Sequence, residues 1–428
     1  MTTSSFRFPF ASSPRPSLYK DEDWGRWGWQ LSHALKTKED YQTFFKLTAE
    51  EKEAFEKSQG LFRIQTTPYY ASLADPEVPE DPIRLMLMPR MGELQNGGQQ
   101  MLDPLGEERH AVNERLIHRY PDRVLFLVTD MCSVYCRYCT RKRFTGNLKS
   151  FVRSDAYLEA LEYLKKNKGI REVILSGGDP LTLSDSRLEK VFEDLRSIDH
   201  IEIIRLGTRM PVVCPMRITE ELLSMMKRFH PIFVMTHFNH PQEISLEAAR
   251  ALTRMVDQGF PVMNQMVLLN GINNHEAIVQ ALSRRLLSLR VKPYYMFHCD
   301  PSKGTEHFQT SIEDSLKIQK NLWGRFSGLG MPHLSLDIPG GGGKVGLVPD
   351  FEKERHETHS VFKGWDGFEA PYINPEASEI KTPSTLSAYL SEWDLLKNQS
   401  YGNKDLKPAP AARTSPRTSE TIDPETPR

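Results

Sequence analysis

Long apolar runs are missing from this chain of 428 residues: none approaches the roughly 18 residues needed to cross a bilayer, and the N-terminus has no secretory h-region. A soluble, cytoplasmic protein with no membrane partner is expected. Charge of one sign is also lacking, with 55 Lys and Arg against 56 Asp and Glu and a formal net charge of −1. That balance argues against a general nucleic-acid or membrane-surface binder and leaves room only for a local patch. Cysteine is scarce, five residues in all. An odd count without a signal peptide argues against disulfides. Without a second cysteine pair, a four-ligand structural zinc site lacks its donors. No internal repeat is present. A hydrophobic content of 39% in a chain this long still permits a large core, so one α/β domain with appendages is expected.

Three of the five cysteines, Cys132, Cys136 and Cys139, stand together in the run Thr129 to Phe144, directly after the apolar segment Val124 to Val128. Three thiolates on one tight loop hold three irons of a cubane and leave the fourth open to a small chelating molecule. This spacing, with the aromatic Tyr138 before the last cysteine, resembles that of radical S-adenosylmethionine enzymes, whose open iron takes the amino and carboxylate groups of that cofactor. Cys214 and Cys299 stand alone, as small buried hydrophobes do. A [4Fe–4S] cluster implies a reducing compartment.

From about residue 124, short β-branched runs alternate with amphipathic ones, the pattern of successive βα units on a parallel sheet. The expected strands are Val124 to Val128, Glu172 to Leu175, Glu202 to Leu206, Ile232 to Met235, Val262 to Val267 and Pro293 to Phe297. Helices are expected over Ser154 to Lys165, Asp185 to Ser197, Thr219 to Arg228, Ser245 to Gln258 and Glu276 to Leu289. The cysteines follow the first strand, Ser176 to Pro180 the second and Asp300 the sixth, where α/β barrels build their sites. The fold class is therefore α/β, an open six-stranded barrel. Its expected divisions are a disordered tail over 1–20, a helical N-terminal domain over 21–115, the barrel over 116–345, a C-terminal extension over 346–400 and a disordered tail over 401–428. The first tail contains no acid, a composition shared with transit peptides, and the last has no aromatic residue after Tyr401 and many Pro, Ser and Thr. Trp24, Trp27 and Trp29 are expected to pack the helical domain onto the barrel, and Thr48 to Glu51 reads as a capping box.

Two further signals carry chemistry. Gly177 and Gly178 let the backbone approach a ligand closely, and the Asp179 carboxylate suits an ammonium group; alone, the three residues make only a turn. Asp337 to Lys344 contains four glycines before a lysine. It is not a Walker loop, because Ile338 and Val345 stand where Gly and Ser or Thr are required. A Schiff base between Lys344 and pyridoxal phosphate and a merely flexible loop are both compatible with it.

Taken together, residues 22–375 resemble the lysine 2,3-aminomutase family. The resemblance is carried by Asp23-Trp24 with Trp29-Gln30, by Thr67 to Tyr70, by His118 to Val124 and by the cysteine run. Thr236 to Pro241, Cys299-Asp300 with Glu306 to Phe308, and Pro339 to Lys344 complete it. It implies a partial (β/α)6 barrel and a cluster binding S-adenosylmethionine, with Gly177, Gly178 and Asp179 at the methionyl amine. It further implies pyridoxal phosphate on Lys344 with Arg119, Tyr120 and Arg123 nearby, and an electron donor such as flavodoxin or ferredoxin. Arg141 matches the clamp for the substrate's α-carboxylate, a role that suits a planar fork of donors. Asp300 and Asp337 match the acids that receive the distant ammonium of L-lysine. A turn cap before Pro301 and a loop cap before the glycines are their structural alternatives. The implied reaction moves the 2-amino group of L-lysine to C3. Arginine is the nearest rival substrate, lysine destined for translation factor P another, and a non-catalytic iron–sulfur protein the alternative of a different class. In one respect the chain departs from the pattern: no cysteine follows Cys299, and His275 stands where the family places a neighbouring subunit's zinc ligand. The C-terminal zinc site is expected to be missing, which leaves a homo-oligomer open.

Overall fold

The computed structural model describes residues 6–94, 101–142, 145, 154–374 and 381–398. Ten strands form one open sheet in sequence order. They are β1 (Ala111–Asn113), β2 (Leu116–Tyr120), β3 (Arg123–Thr129), β4 (Glu172–Gly177), β5 (Ile203–Gly207), β6 (Ile232–Thr236), β7 (Val262–Leu268), β8 (Lys292–His298), β9 (His333–Ile338) and β10 (Gly343–Gly346). Neighbours from β3 to β9 run parallel. At one end β1 and β2 fold back antiparallel, and at the other β10 does the same. The edges β1 and β10 do not pair, so the barrel stays open.

The sequence logic of each unit is local. Val124, Phe126 and Val128 are buried on β3, and β7 alternates buried and half-buried residues along its length, as a strand with helices packed outside it should. The crossover helices are Asp155–Lys166, Asp185–Arg196, Glu220–Lys227, Leu246–Asp257, Glu276–Ser288 and Ile312–Leu322. Ser154, Thr219 and Ser245 cap three of them by accepting from Tyr157, Leu222 and Ala248 backbone N–H groups. Each such cap is worth about 1 kcal/mol. Thr48 forms the expected capping box with Glu51.

The six expected parallel strands are present, and the sheet continues beyond them into a seventh, β9. In His333–Ile338 polar and apolar residues alternate, but the run abuts the proline and glycines of the following turn, which masks it in the sequence. Residues 6–20 depart from the disordered tail expected of them. They lie across the barrel, where Leu246 N–H donates to Ala11 O (2.8 Å) and Ser13 N–H to the Glu247 carboxylate (3.0 Å). Phe6, Phe10 and Tyr19 pack on the core and supply the apolar anchors that a tail of such composition otherwise lacks. Residues 1–5 and the expected tail over 401–428 lie outside the described residues.

Residues 21–94 form short helices that pack on the barrel, with Trp24, Tyr69 and Tyr70 buried. After β10 comes a separate antiparallel sheet of β11 (Glu352–Arg355), β12 (His359–Lys363) and β13 (Glu369–Ile373), then the helix Ser387–Asn398. Among the described residues no helix is long and apolar enough to cross a membrane.

Candidate active site

The loops that follow the parallel strands surround a cavity of about 570 Å³, and every site candidate named from the sequence lines it. A cavity of this size suits a small-molecule ligand.

Cys132, Cys136 and Cys139 sit on the loop leaving β3. This loop has no ladder of its own and is held from outside. Tyr135 N–H donates to Gln65 O (3.0 Å), Arg137 N–H to Met86 O (3.1 Å), and the Gln65 side-chain amide to Cys132 O (2.9 Å). The buried Arg137 guanidinium grips the buried Glu93 carboxylate at 2.7 Å, and Lys142 Nζ joins it at 3.1 Å. Burial and the neighbouring thiols push the Cys132 and Cys139 thiols above their usual range. Three thiolates here would repel one another unless a cationic group lay among them, and a metal centre supplies one. Among the described residues no three His, Cys, Asp or Glu side chains converge on one ion. Three cysteine thiols on one loop match the donor set of a cluster whose irons each take one cysteine.

Gly177 and Gly178 are needed for a contact within the protein. A Cβ at Gly177 would meet Thr129 O at 2.1 Å, and one at Gly178 would meet Met131 O at 2.0 Å. Bare backbone lets Gly178 N–H donate to Thr129 O (2.6 Å) and Asp179 N–H to Met131 O (2.7 Å), so the loop after β4 seats the start of the cysteine loop. The Asp179 carboxylate differs from expectation. It accepts from Leu181 N–H (3.0 Å), Thr208 Oγ1 (2.7 Å) and Arg209 N–H (2.7 Å), and is thereby occupied by the protein's own donors. These donors take three of the roughly four lone-pair sites of the carboxylate.

Lys344 lies opposite Asp337 in the β9–β10 ladder. The glycines between them are ordered: Gly340, Gly341 and Gly343 have φ of 78°, 96° and 89°, a region that favours glycine. Gly340 N–H donates to Pro104 O (2.9 Å), and Lys344 N–H to the Tyr120 hydroxyl (2.9 Å). Lys344 Nζ then reaches Asp337 at 3.0 Å and sits 5.2 Å from the Phe297 ring centroid. A primary amine on a rigid hairpin facing an aromatic wall suits a carbonyl cofactor. Arg119 pairs with the other oxygen of Asp337 at 2.8 Å. Arg123 lies over the Tyr120 ring at 4.0 Å, and Arg205 on β5 lines the same part of the cavity, paired with Glu172. These guanidinium groups suit an anionic ligand group.

Among the described residues Asp300, after β8, forms no ion pair of its own, and Lys344 and Arg119 act on it from a distance. Burial pushes its carboxyl up to about 7, Asp337 adds to the shift, and Lys344 and Arg119 oppose it. Arg141 is held by Glu107 at 2.7 Å and donates through Nη1 to Ser176 Oγ at 3.1 Å. His237, on the cavity wall, is held neutral, its imidazole pushed down to about 4 by burial and by Arg209 and Arg141.

Glu107, Arg205, Arg209 and Gln265 line the cavity without having been singled out from the sequence, and His237 lines it from within the Thr236–Pro241 motif without having been given a role there. For Arg205 a signal existed, since an arginine inside the apolar run Ile203–Gly207 must face something polar. Glu107 lacks a comparable local mark.

Two comparisons with known proteins agree. Residues 126–282 match the model of the radical SAM superfamily. The chain is 43% identical over 356 residues to the L-lysine 2,3-aminomutase of Fusobacterium nucleatum subsp. nucleatum, covering 83% of this chain and 84% of that protein. It is 41% identical to the L-lysine 2,3-aminomutase of Clostridium subterminale over 84% of this chain and 88% of that one. With the glutamate 2,3-aminomutase of Clostridioides difficile it shares 40% identity over 84% of this chain and 85% of that one. The family works with a [4Fe–4S] cluster, S-adenosylmethionine and pyridoxal phosphate, and the thiol loop, the cavity and the lysine hairpin described above fit those three groups. On the strength of this identity over most of both chains, the protein belongs to the lysine 2,3-aminomutase family of radical SAM enzymes.

Proposed function

We propose that this enzyme is an L-lysine 2,3-aminomutase, moving the 2-amino group of L-lysine to C3 to give L-β-lysine. When bound, S-adenosylmethionine on the reduced cluster supplies a carbon radical for hydrogen abstraction, and pyridoxal phosphate carries the migrating nitrogen. The rest is the work of the chain's own residues. In this reading Cys132, Cys136 and Cys139 hold the cluster. The backbone at Gly177, Gly178 and Asp179 shapes the place of the methionyl end. Arg119, Tyr120 and Arg123 hold the anionic end of pyridoxal phosphate, and Lys344 is its covalent anchor.

The observation that carries the substrate assignment is the pairing of Asp300 and Asp337 beside Lys344. Once Nζ is committed to the cofactor, Asp337 loses one of its two cationic partners and keeps only Arg119. Among the described residues Asp300 forms no ion pair. Two carboxylates then face the cavity against a single guanidinium, a balance that an ammonium group corrects. Arg141, fixed along one edge by Glu107, receives the α-carboxylate. A substrate ending in a second carboxylate would meet two like charges, which disfavours glutamate here although one relative acts on it by name. The neutral His237 and the apolar wall of Val267 and Phe297 help keep water from the reacting carbons.

This reading places the enzyme in the reducing cytoplasm with flavodoxin or ferredoxin as electron donor. Anaerobic incubation of the reconstituted protein with L-lysine, dithionite, S-adenosylmethionine and pyridoxal phosphate, followed by chromatography, tests it. β-Lysine is the expected product; recovery of unchanged lysine alongside turnover of arginine or glutamate would overturn the assignment.

A further inference from the structure

Arg209, two residues past the end of β5, is buried at the junction of four loops. Its Nη1 donates to Cys136 Sγ at 2.9 Å. Its Nη2 donates to Glu243 Oε1 at 2.7 Å and to the Tyr70 hydroxyl at 2.8 Å, and its backbone N–H to Asp179 at 2.7 Å. Glu243 is fully buried and is itself fixed by the Tyr70 hydroxyl (2.7 Å) and by the N–H groups of Asn239 (2.5 Å) and His240 (2.9 Å). The guanidinium therefore has no freedom to turn away from the sulfur. Among the three cysteine sulfurs, Cys136 is the one that receives a charged donor within the described residues.

We propose that Arg209 is a positioning residue that fixes Cys136 as a cluster ligand and sets the cluster's reduction potential, with Glu243 as its counterweight. The inference rests on the reading that Cys132, Cys136 and Cys139 hold the cluster. Reduction adds one electron and makes the cluster more negative. A fixed cation donating to a ligand sulfur stabilises that extra charge and raises the potential, and hydrogen bonds to sulfur are among the terms that set it. In a buried site the effect is screened little. Glu243 acts in the opposite sense, holding Arg209 in place while offsetting part of its charge. The pair thus gives a potential that is adjustable from either side.

The test is a mediated potentiometric titration of the anaerobically reconstituted full-length protein, with dithionite as electron source and without S-adenosylmethionine or substrate. Electron paramagnetic resonance of the reduced cluster reports the midpoint. In Arg209→Gln the oxidised-to-reduced equilibrium should shift toward the oxidised form by at least tenfold, about 59 mV for one electron. In Glu243→Gln it should move the other way. Arg209→Lys keeps the charge but cannot span both partners, and should fall between Arg209→Gln and the parent; it also carries the test should the glutamine variant not fold. Unchanged midpoints, or shifts of the same sign in Arg209→Gln and Glu243→Gln, would overturn the proposal. Loss of iron from both Arg209 variants with an unaltered circular dichroism spectrum would support the fixing of Cys136 and overturn the assignment of the potential to Arg209, since the residue would then serve only to hold the ligand. Failure of the unmutated protein to take up a [4Fe–4S] cluster would instead overturn the functional reading on which the proposal rests.

Discussion

Replacing Asp300 with Asn should stabilise the cofactor-free protein while damaging turnover of lysine. The magnitude follows from the buried carboxyl, which moves from its ordinary 3.8 to about 7. A rise of roughly three units, at about 1.4 kcal/mol each, is about 4 kcal/mol. Because the folded chain binds this proton more tightly than the unfolded chain, ionised Asp300 opposes folding. That cost is fully present above about pH 7, shrinks as the pH falls toward 3.8, and is absent below it. Asn removes the charge but buries an amide, which costs about 1–3 kcal/mol unless it finds partners. A net gain of about 1–3 kcal/mol is expected at pH 8, and it should reverse to a net loss of about 1–3 kcal/mol below about pH 4, where only the cost of the buried amide remains. Urea denaturation of both proteins across that range measures it. Reconstituted Asp300→Asn should meanwhile lose most of its kcat/KM for lysine. An Asn variant that is less stable at pH 8, or a stability difference that does not vary with pH, would refute the reasoning.

Alanine at Cys132, Cys136 or Cys139 should abolish turnover and the cluster's absorbance; the parent protein should hold iron without stoichiometric zinc, which metal analysis will show. Borohydride reduction should trap pyridoxal phosphate on Lys344, and peptide mapping that put the label on another lysine would displace that assignment. For lysine, kcat/KM should fall as the pH drops through about 7, where Asp300 takes up a proton, by up to about tenfold per unit. The slope should vanish in Asp300→Asn, and glutamate should remain a very poor substrate at every pH.

The strands that could be read directly from the sequence are those whose β-branched runs are bounded by polar helices, such as Ile232–Thr236 and Val262–Leu268. Local pattern suffices where an apolar run is bounded by amphipathic helical segments. It fails at the sheet's margins, where β1 and β2 are short and β10 begins with a glycine. The cysteine loop and the lysine hairpin were legible because each packs its chemistry into about a dozen residues. Charge partners were not. Arg141 meets Glu107 and Arg209 meets Glu243, each 34 residues away, and only the fold brings them together. For the same reason Asp179 read as an open carboxylate, although Thr208 and Arg209, just past the next strand, already donate to it.

The hold of residues 63–93 on the cysteine loop has a consequence for the order of biogenesis. The loop's backbone is anchored through Gln65 and Met86 and its Arg137 side chain through Glu93, all upstream of the barrel. The ligands thus acquire their shape only after the N-terminal segment has docked. Iron delivered earlier would meet thiols on a loop without these anchors, whereas iron delivered later would meet the anchored loop. A nascent chain exposes that segment first, and translation itself therefore presents the clasp before the piece it must close upon.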